Sequence, residues 1–168
     1  HKEDFPLLIK IIDADDWLSI QVHPDDDLAR KYQFSNGKTE MWYVMQSEET
    51  SQLISGFKRE SNSREYMELL EKKQLPEILN YEKTGKGDIF FMPAGRIHSL
   101  GPGNLIAEIQ QTSDTTYRIY DWDRVDENGE GRELHLKRAM EAIDFQAEDT
   151  YRTTYSKKMN ETVEAVSC

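Results

Sequence analysis

The chain has 168 residues, 37% hydrophobic and 32% charged, with 21 Lys and Arg against 32 Asp and Glu for a net charge of −11. This is the balance of one globular domain with a real core, and its sign argues against nucleic acid or an anionic membrane as the main partner, though one local Arg or Lys can still hold a small anionic ligand. There is no apolar run long enough to span a bilayer and no signal peptide, and a single Cys, Cys168, leaves no internal disulfide, so a reducing, cytoplasmic setting is expected.

In chain order, Phe5 to Ile12 reads as a strand and Asp13 to Asp16 as a polar turn. From Trp17 to His23 the residues alternate, with Trp17, Ser19, Gln21 and His23 on one face and Leu18, Ile20 and Val22 on the other. The more polar face carries possible ligands and is expected to line a cavity. Pro24 to Phe34 reads as a short helical or irregular connection, acidic at its start and basic at its end, as a helix dipole favours. A turn over 35–38 leads to a strand, Thr39 to Met45, with Glu40, Trp42 and Val44 on one face, and then to a loop over 46–50. A further strand is expected over Gln52 to Phe57. Arg64 to Leu79 has a helical apolar stripe broken at Pro76, so two short helices or one interrupted helix are expected there. Ile89 to Met92 is a buried strand closed by the turn Pro93-Ala94-Gly95, with His98 opening the next strand. Leu105 to Gln111 and Thr115 to Trp122 read as strands, Val125 to Gly131 as a charged turn and Leu134 to Ile143 as a helix. His135 and His1 match no motif and are assigned to the surface and to the terminus.

Many short strands, tight turns and one helical insertion predict an all-β sandwich or barrel. Gly87, Pro93, Gly95 and His98 match the second cupin motif, Gly-x5-Pro-x-Gly-x2-His, and cupins are double-sheet jelly rolls. Pro102 stands where that motif usually has Asn. The expected division is a cupin metal-binding domain over 1–145, with its helical insertion at about 64–79, and a C-terminal extension over 146–168.

Gln21, His23, Glu40 and His98 form a candidate metal set. Two imidazoles, a carboxylate and an amide oxygen, with no thiolate nearby, suit a divalent ion in a Lewis-acid role rather than a closed structural zinc site. Each residue alone is better read as an ordinary core or surface group; the joint pattern is what points to a metal. Arg118 shares a predicted strand face with Thr116, Tyr120 and Trp122, and its permanent charge suits a phosphate or a developing oxyanion, against the plainer reading of a salt bridge. Glu108 shares an inward face with Ile106 and Gln110, where a carboxylate is costly unless paired or functional. Lys38, just before Glu40, is a candidate for binding phosphate or moving a proton.

Four ordered segments, SIQVHPD (19–25), GKTEMWY (37–43), GDIFFMPAGRIHSLG (87–101) and IAEIQQTSDTTYRIYDW (106–122), resemble the type I mannose-6-phosphate isomerases, particularly the short bacterial form, as does RELHLKRAMEAIDF (132–145). The likeness runs from about Pro6 to Phe145. It implies one zinc ion held by Gln21, His23, Glu40 and His98, an active-site Arg118, and Lys38 and Glu108 in the pocket. It further implies an isomerase that interconverts mannose 6-phosphate and fructose 6-phosphate through an enediol, acting on a small sugar phosphate. Family members are longer, so the resemblance also implies a chain lacking N-terminal strands and most of a C-terminal portion. The competing expectations are a non-catalytic metal-containing cupin that binds a sugar or sugar phosphate, and an iron-dependent cupin oxygenase, which Gln21 and the Arg118 segment disfavour.

Overall fold

A computed structural model describes residues 5–32, 36–156 and 162–166. Its nine strands are β1 (Leu7–Ala14), β2 (Ile20–Val22), β3 (Glu40–Ser47), β4 (Gln52–Phe57), β5 (Leu79–Lys83), β6 (Ile89–Met92), β7 (His98–Leu100), β8 (Asn104–Gln111) and β9 (Tyr117–Tyr120). They form two sheets, ordered β1-β8-β3-β6 and β5-β4-β7-β2-β9, antiparallel throughout. This is the double-sheet jelly roll expected from the strand pattern.

The alternation of each strand decides what lies between the sheets. Trp42, Val44, Phe90, Met92 and Ile106 of the four-stranded sheet meet Leu53 and Leu100 of the five-stranded sheet, and all are buried. Burial of such a side chain is worth about 1.5–3 kcal/mol. The opposite face of the five-stranded sheet is also buried. Ile20, Val22, Ile54, Phe57, Tyr117 and Ile119 pack there against helical residues Tyr66, Leu75, Ala139 and Ile143. The opposite face of the four-stranded sheet is open: Leu7, Ile9, Ile11, Tyr43 and Met45 are exposed on it.

Three helices flank the sheets. In α1 (Asp26–Lys31) the Asp25 side chain accepts from the Leu28 N–H, with Asp26 and Asp27 in the first turn and Arg30 and Lys31 in the last. In α2 (Ser63–Glu71) Asn62 caps the N-terminus by accepting from the N–H groups of Arg64 and Glu65. A separate 3-10 turn, Leu75–Ile78, carries Pro76 near its start. The expected break therefore exists, but it falls at 72–74, ahead of Pro76, and Leu79 leaves the helical segment and opens β5, an edge strand with no clear sequence signal. Finally, α3 (Leu136–Ala142) lies against β9 and β2.

Other boundaries moved. The first strand is Leu7–Ala14, because pairing with β8 runs as far as Ala14 opposite Asn104, and the turn begins only at Asp15. Gln46 and Ser47 extend β3 rather than starting a loop. Phe34 and Ser35, part of the predicted connection and turn, lie outside the described residues, as do His1 and Cys168. Past Phe145 the chain contributes single bridges rather than strands, Phe57 to Ala147 and Phe90 to Arg152. It also buries Tyr151, whose hydroxyl donates to Phe57 O at 2.8 Å and accepts from the N–H of Phe57 at 3.1 Å.

Candidate metal centre and pocket

Register gathers polar residues from five separate segments. Across the five-stranded sheet, Ser55 stands opposite His98, His98 opposite Gln21, and Gln21 opposite Arg118. Cross-strand neighbours share a face, so one polar row crosses an otherwise apolar interior. From the facing sheet, Glu40 enters the same space. Two glycine contacts draw the flanking loops together. The Gly95 N–H donates to His23 O at 2.9 Å, in a turn that needs the positive φ of 89° there. At Gly37 a Cβ would come within 2.5 Å of the Asp25 backbone; the close pass lets the Lys38 N–H donate to Pro24 O at 3.0 Å.

The result is a buried cluster of His23, Glu40 and His98 whose ligand atoms all lie within 4.8 Å of one another. His23 Nε2 is 3.3 Å from Glu40 Oε1, and His98 Nε2 is 3.7 Å from Glu40 Oε2. Both imidazoles are oriented from behind: Nδ1 of His23 faces Thr115 O at 2.9 Å and Nδ1 of His98 faces Arg96 O at 2.9 Å. A carbonyl accepts only from a protonated nitrogen, so each Nδ1 carries the hydrogen and each Nε2 turns a lone pair to the centre. The Trp42 indole donates to Glu40 Oε2 at 3.1 Å, while Glu40 Oε1 faces His23 Nε2 and the Lys38 ammonium. Gln21 Nε2 lies 3.3 Å from His98 Nε2, and a half-turn of that amide brings its oxygen inward instead.

Electrostatics favour neutral imidazoles beside a carboxylate. Burial holds the His98 pKa down to about 4, and lowers that of His23. Burial alone would raise Glu40, but its close neighbours His23, His98 and Lys38 hold its carboxyl well below the usual range. Neutral nitrogen donors and an ionised carboxylate suit a divalent cation.

The other sequence candidates lie at graded distances. Lys38, read as a turn lysine, is 5% exposed; its Nζ sits 2.7 Å from Glu40 Oε1 and 3.4 Å from His23 Nε2. Glu108 lies in the neighbouring row, opposite Trp42, with Oε1 3.2 Å from Lys10 Nζ. Lys10, which also donates to Gln110 Oε1 at 2.6 Å, had no sequence signal beyond its strand. Arg118 flanks Gln21, and its Nη1 donates to Glu133 O at 2.9 Å while its Nε is buried without a partner. The simple alternation at Arg118 does not hold. A register shift pairs Ile20 with Tyr120 and Gln21 with Arg118, and Tyr120 and Trp122 pack with the helix-side core. Nor is His135 a surface residue: it is half-buried, and its Nδ1 accepts the Arg118 N–H at 3.1 Å.

The family model for the phosphomannose isomerase type I catalytic domain matches residues 1–60. A probable mannose-6-phosphate isomerase of Bacillus subtilis is 42% identical over 156 residues, 92% of this chain and 49% of that protein. The mannose-6-phosphate isomerase of Streptococcus mutans is 42% identical over 83% of this chain and 44% of its own length. The crystal structure of the Bacillus subtilis mannose 6-phosphate isomerase superposes with a TM-score of 0.83 at 36% identity, covering 92% of this chain and 50% of the other. The chain spans about half the length of the curated relatives it matches.

Proposed function

This chain belongs to the type I phosphomannose isomerases, and from that membership we propose that it carries the metal centre and substrate pocket of an enzyme interconverting mannose 6-phosphate and fructose 6-phosphate. The observation that carries the reading is the buried His23–Glu40–His98 cluster, with both Nδ1 atoms tied to carbonyls and both Nε2 atoms turned to the Glu40 carboxylate.

Gln21, His23, Glu40 and His98 would hold one zinc ion. Bound there, zinc supplies Lewis-acid polarisation of a substrate oxygen without redox chemistry. The remaining work falls to the side chains. Aldose–ketose interconversion moves a proton between C2 and C1 through an enediol, so the pocket needs a proton carrier and a cation for developing negative charge. Lys38 and Glu108 are the two carriers in reach. Lys38 is favoured by its contact with Glu40 and His23, whereas Glu108 is already engaged by Lys10. Arg118, with its buried unpartnered Nε, offers donors to the enediolate or the phosphate. Residues 1–145 are assigned as the cupin domain and 146–168 as its extension, supported by the seating of Tyr151 on β4. The single Cys in the sequence and a sugar phosphate substrate favour a cytoplasmic setting, and no helix among the described residues is long and apolar enough to cross a membrane.

The test is a coupled assay with mannose 6-phosphate on protein of measured metal content, alongside His98→Ala. The parent is expected to hold one zinc ion per chain and turn over; His98→Ala is expected to lose the metal and the activity together, while still folding. A metal-replete parent without isomerase activity, or a His98→Ala variant with unchanged metal content, overturns the assignment.

A further inference from the structure

Asp121 closes β9 and is buried, its side chain 7% exposed. One carboxylate there gathers two guanidinium groups. Arg132 donates to it twice, Nε to Oδ2 at 2.7 Å and Nη2 to Oδ1 at 2.5 Å, and Arg124 Nη2 donates to Oδ1 at 2.5 Å. Arg124 also donates to Trp17 O at 2.7 Å, so the carboxylate is tied to the chain leading into β2. Burial would raise the Asp121 carboxyl, but the hydrogen bonds of Arg132 and Arg124 hold it below the ordinary range.

Arg132 leads directly into the segment that grips Arg118. Glu133 O accepts Arg118 Nη1 at 2.9 Å, the His135 N–H donates to Arg118 O at 2.7 Å, and the Arg118 N–H donates to His135 Nδ1 at 3.1 Å. Because Arg118 Nε is buried with no acceptor, the aim of its guanidinium depends on Glu133 O. The Glu133 side chain itself is exposed, so the side-chain anchor of this segment on its N-terminal side is the fork of Arg132 on Asp121, next to the single backbone bridge of Gly131 with Val125.

We propose that Asp121 is a positioning residue: acting through Arg132 and the Glu133 carbonyl, it fixes the Arg118 guanidinium beside Gln21 in the pocket. Its catalytic consequence rests on the isomerase reading; its structural consequence does not. Without the Asp121 charge Arg132 loses its carboxylate while Arg124 keeps Asp16 at 3.4 Å, the 132–135 segment loses its clamp, and Arg118 gains rotameric freedom in a pocket where a displacement of about 1 Å can cost roughly 100-fold in rate.

The test uses the full chain and two variants, Asp121→Asn and Arg132→Ala, the second at a half-exposed side chain that leaves the Asp121–Arg124 pair in place to support folding. The first readout is the arginine Nε–H NMR spectrum, with the Arg118 signal assigned by its loss in Arg118→Lys. The parent signal is expected to be resolved and slow to exchange, and to move into the solvent-exposed group in both variants. An unmoved Arg118 signal in a folded variant overturns the proposal whether or not the chain proves active. The second readout is a kinetic cycle. Asp121→Asn is expected to lower kcat about 10- to 100-fold, and to cost little more once Arg118 is already Lys. Fully additive losses overturn the link to Arg118, and absence of parent turnover counts against the isomerase reading alone, because the NMR result still decides the coupling.

Discussion

At the scale of single residues, the centre is defined by protons. His98 titrates near 4 in the folded chain, against about 6.5 for an unperturbed imidazole, and burial lowers His23 in the same direction. A group whose folded pKa is depressed binds fewer protons in the native state. Its contribution to stability is therefore present above the unfolded pKa and lost as pH falls toward the folded one. Metal-free protein is expected to lose stability between about pH 6.5 and 4, before most surface carboxylates titrate. Denaturant midpoints at pH 7, 6 and 5 check this: a flat profile over that interval would show that the two imidazoles are not held neutral by burial. The Gln-x-His pair, the strand-borne Glu and the His after Pro-x-Gly were all visible in the sequence, because each sits at a fixed offset within one local segment. Lys10 and Ser55 were not. They join the pocket only through register with strands far away in sequence, and a residue's own neighbours do not encode which strand it will pair with.

At the scale of elements, local signals located β6 and the start of β7 to the residue and β4 to within one, since each is bounded by turn chemistry or by the Pro93–Gly95 corner. The failures have a common cause. The irregularity that turns Tyr120 away from Arg118 arises from the pairing of β9 with β2, and β5 is an edge strand whose Asn80-Tyr81-Glu82 carries no marked apolar period in sequence. The chain after Phe145 carries no apolar stripe because it is seated by single bridges and individual polar contacts, Tyr151 among them. Tyr151 lies across β4, with its hydroxyl bonded to both backbone groups of Phe57 and accepting the Glu148 N–H at 3.1 Å. Tyr151→Phe leaves those buried backbone groups short of a partner and is expected to cost about 1–3 kcal/mol. Chemical denaturation measures it, and an unchanged midpoint would mean that the segment is not held by this hydroxyl.

At the scale of the whole molecule, the two sheets have unequal surroundings. Helices cover the outer side of the five-stranded sheet, and the centre lies between the sheets. On the outer side of the four-stranded sheet, Ile9, Ile109, Met41 and Phe91 form one cross-strand row and Ile11, Ala107 and Tyr43 the next. Val166 approaches this face beside Leu7 and Met41. Colloidal behaviour follows from that contrast. A net charge of −11 keeps molecules apart through a repulsion that reaches only about one Debye length, roughly 10 Å in 0.1 M salt and 3 Å in 1 M. The attraction between apolar faces is not screened in this way. Added salt should therefore make the protein stickier, with the second virial coefficient from light scattering turning from positive toward negative as ionic strength rises. Ile9→Lys, at a position 61% exposed, should blunt the change by placing a charge in the row. If the virial coefficient is insensitive to salt, or Ile9→Lys behaves as the parent does, that open face does not govern how the molecules meet in solution.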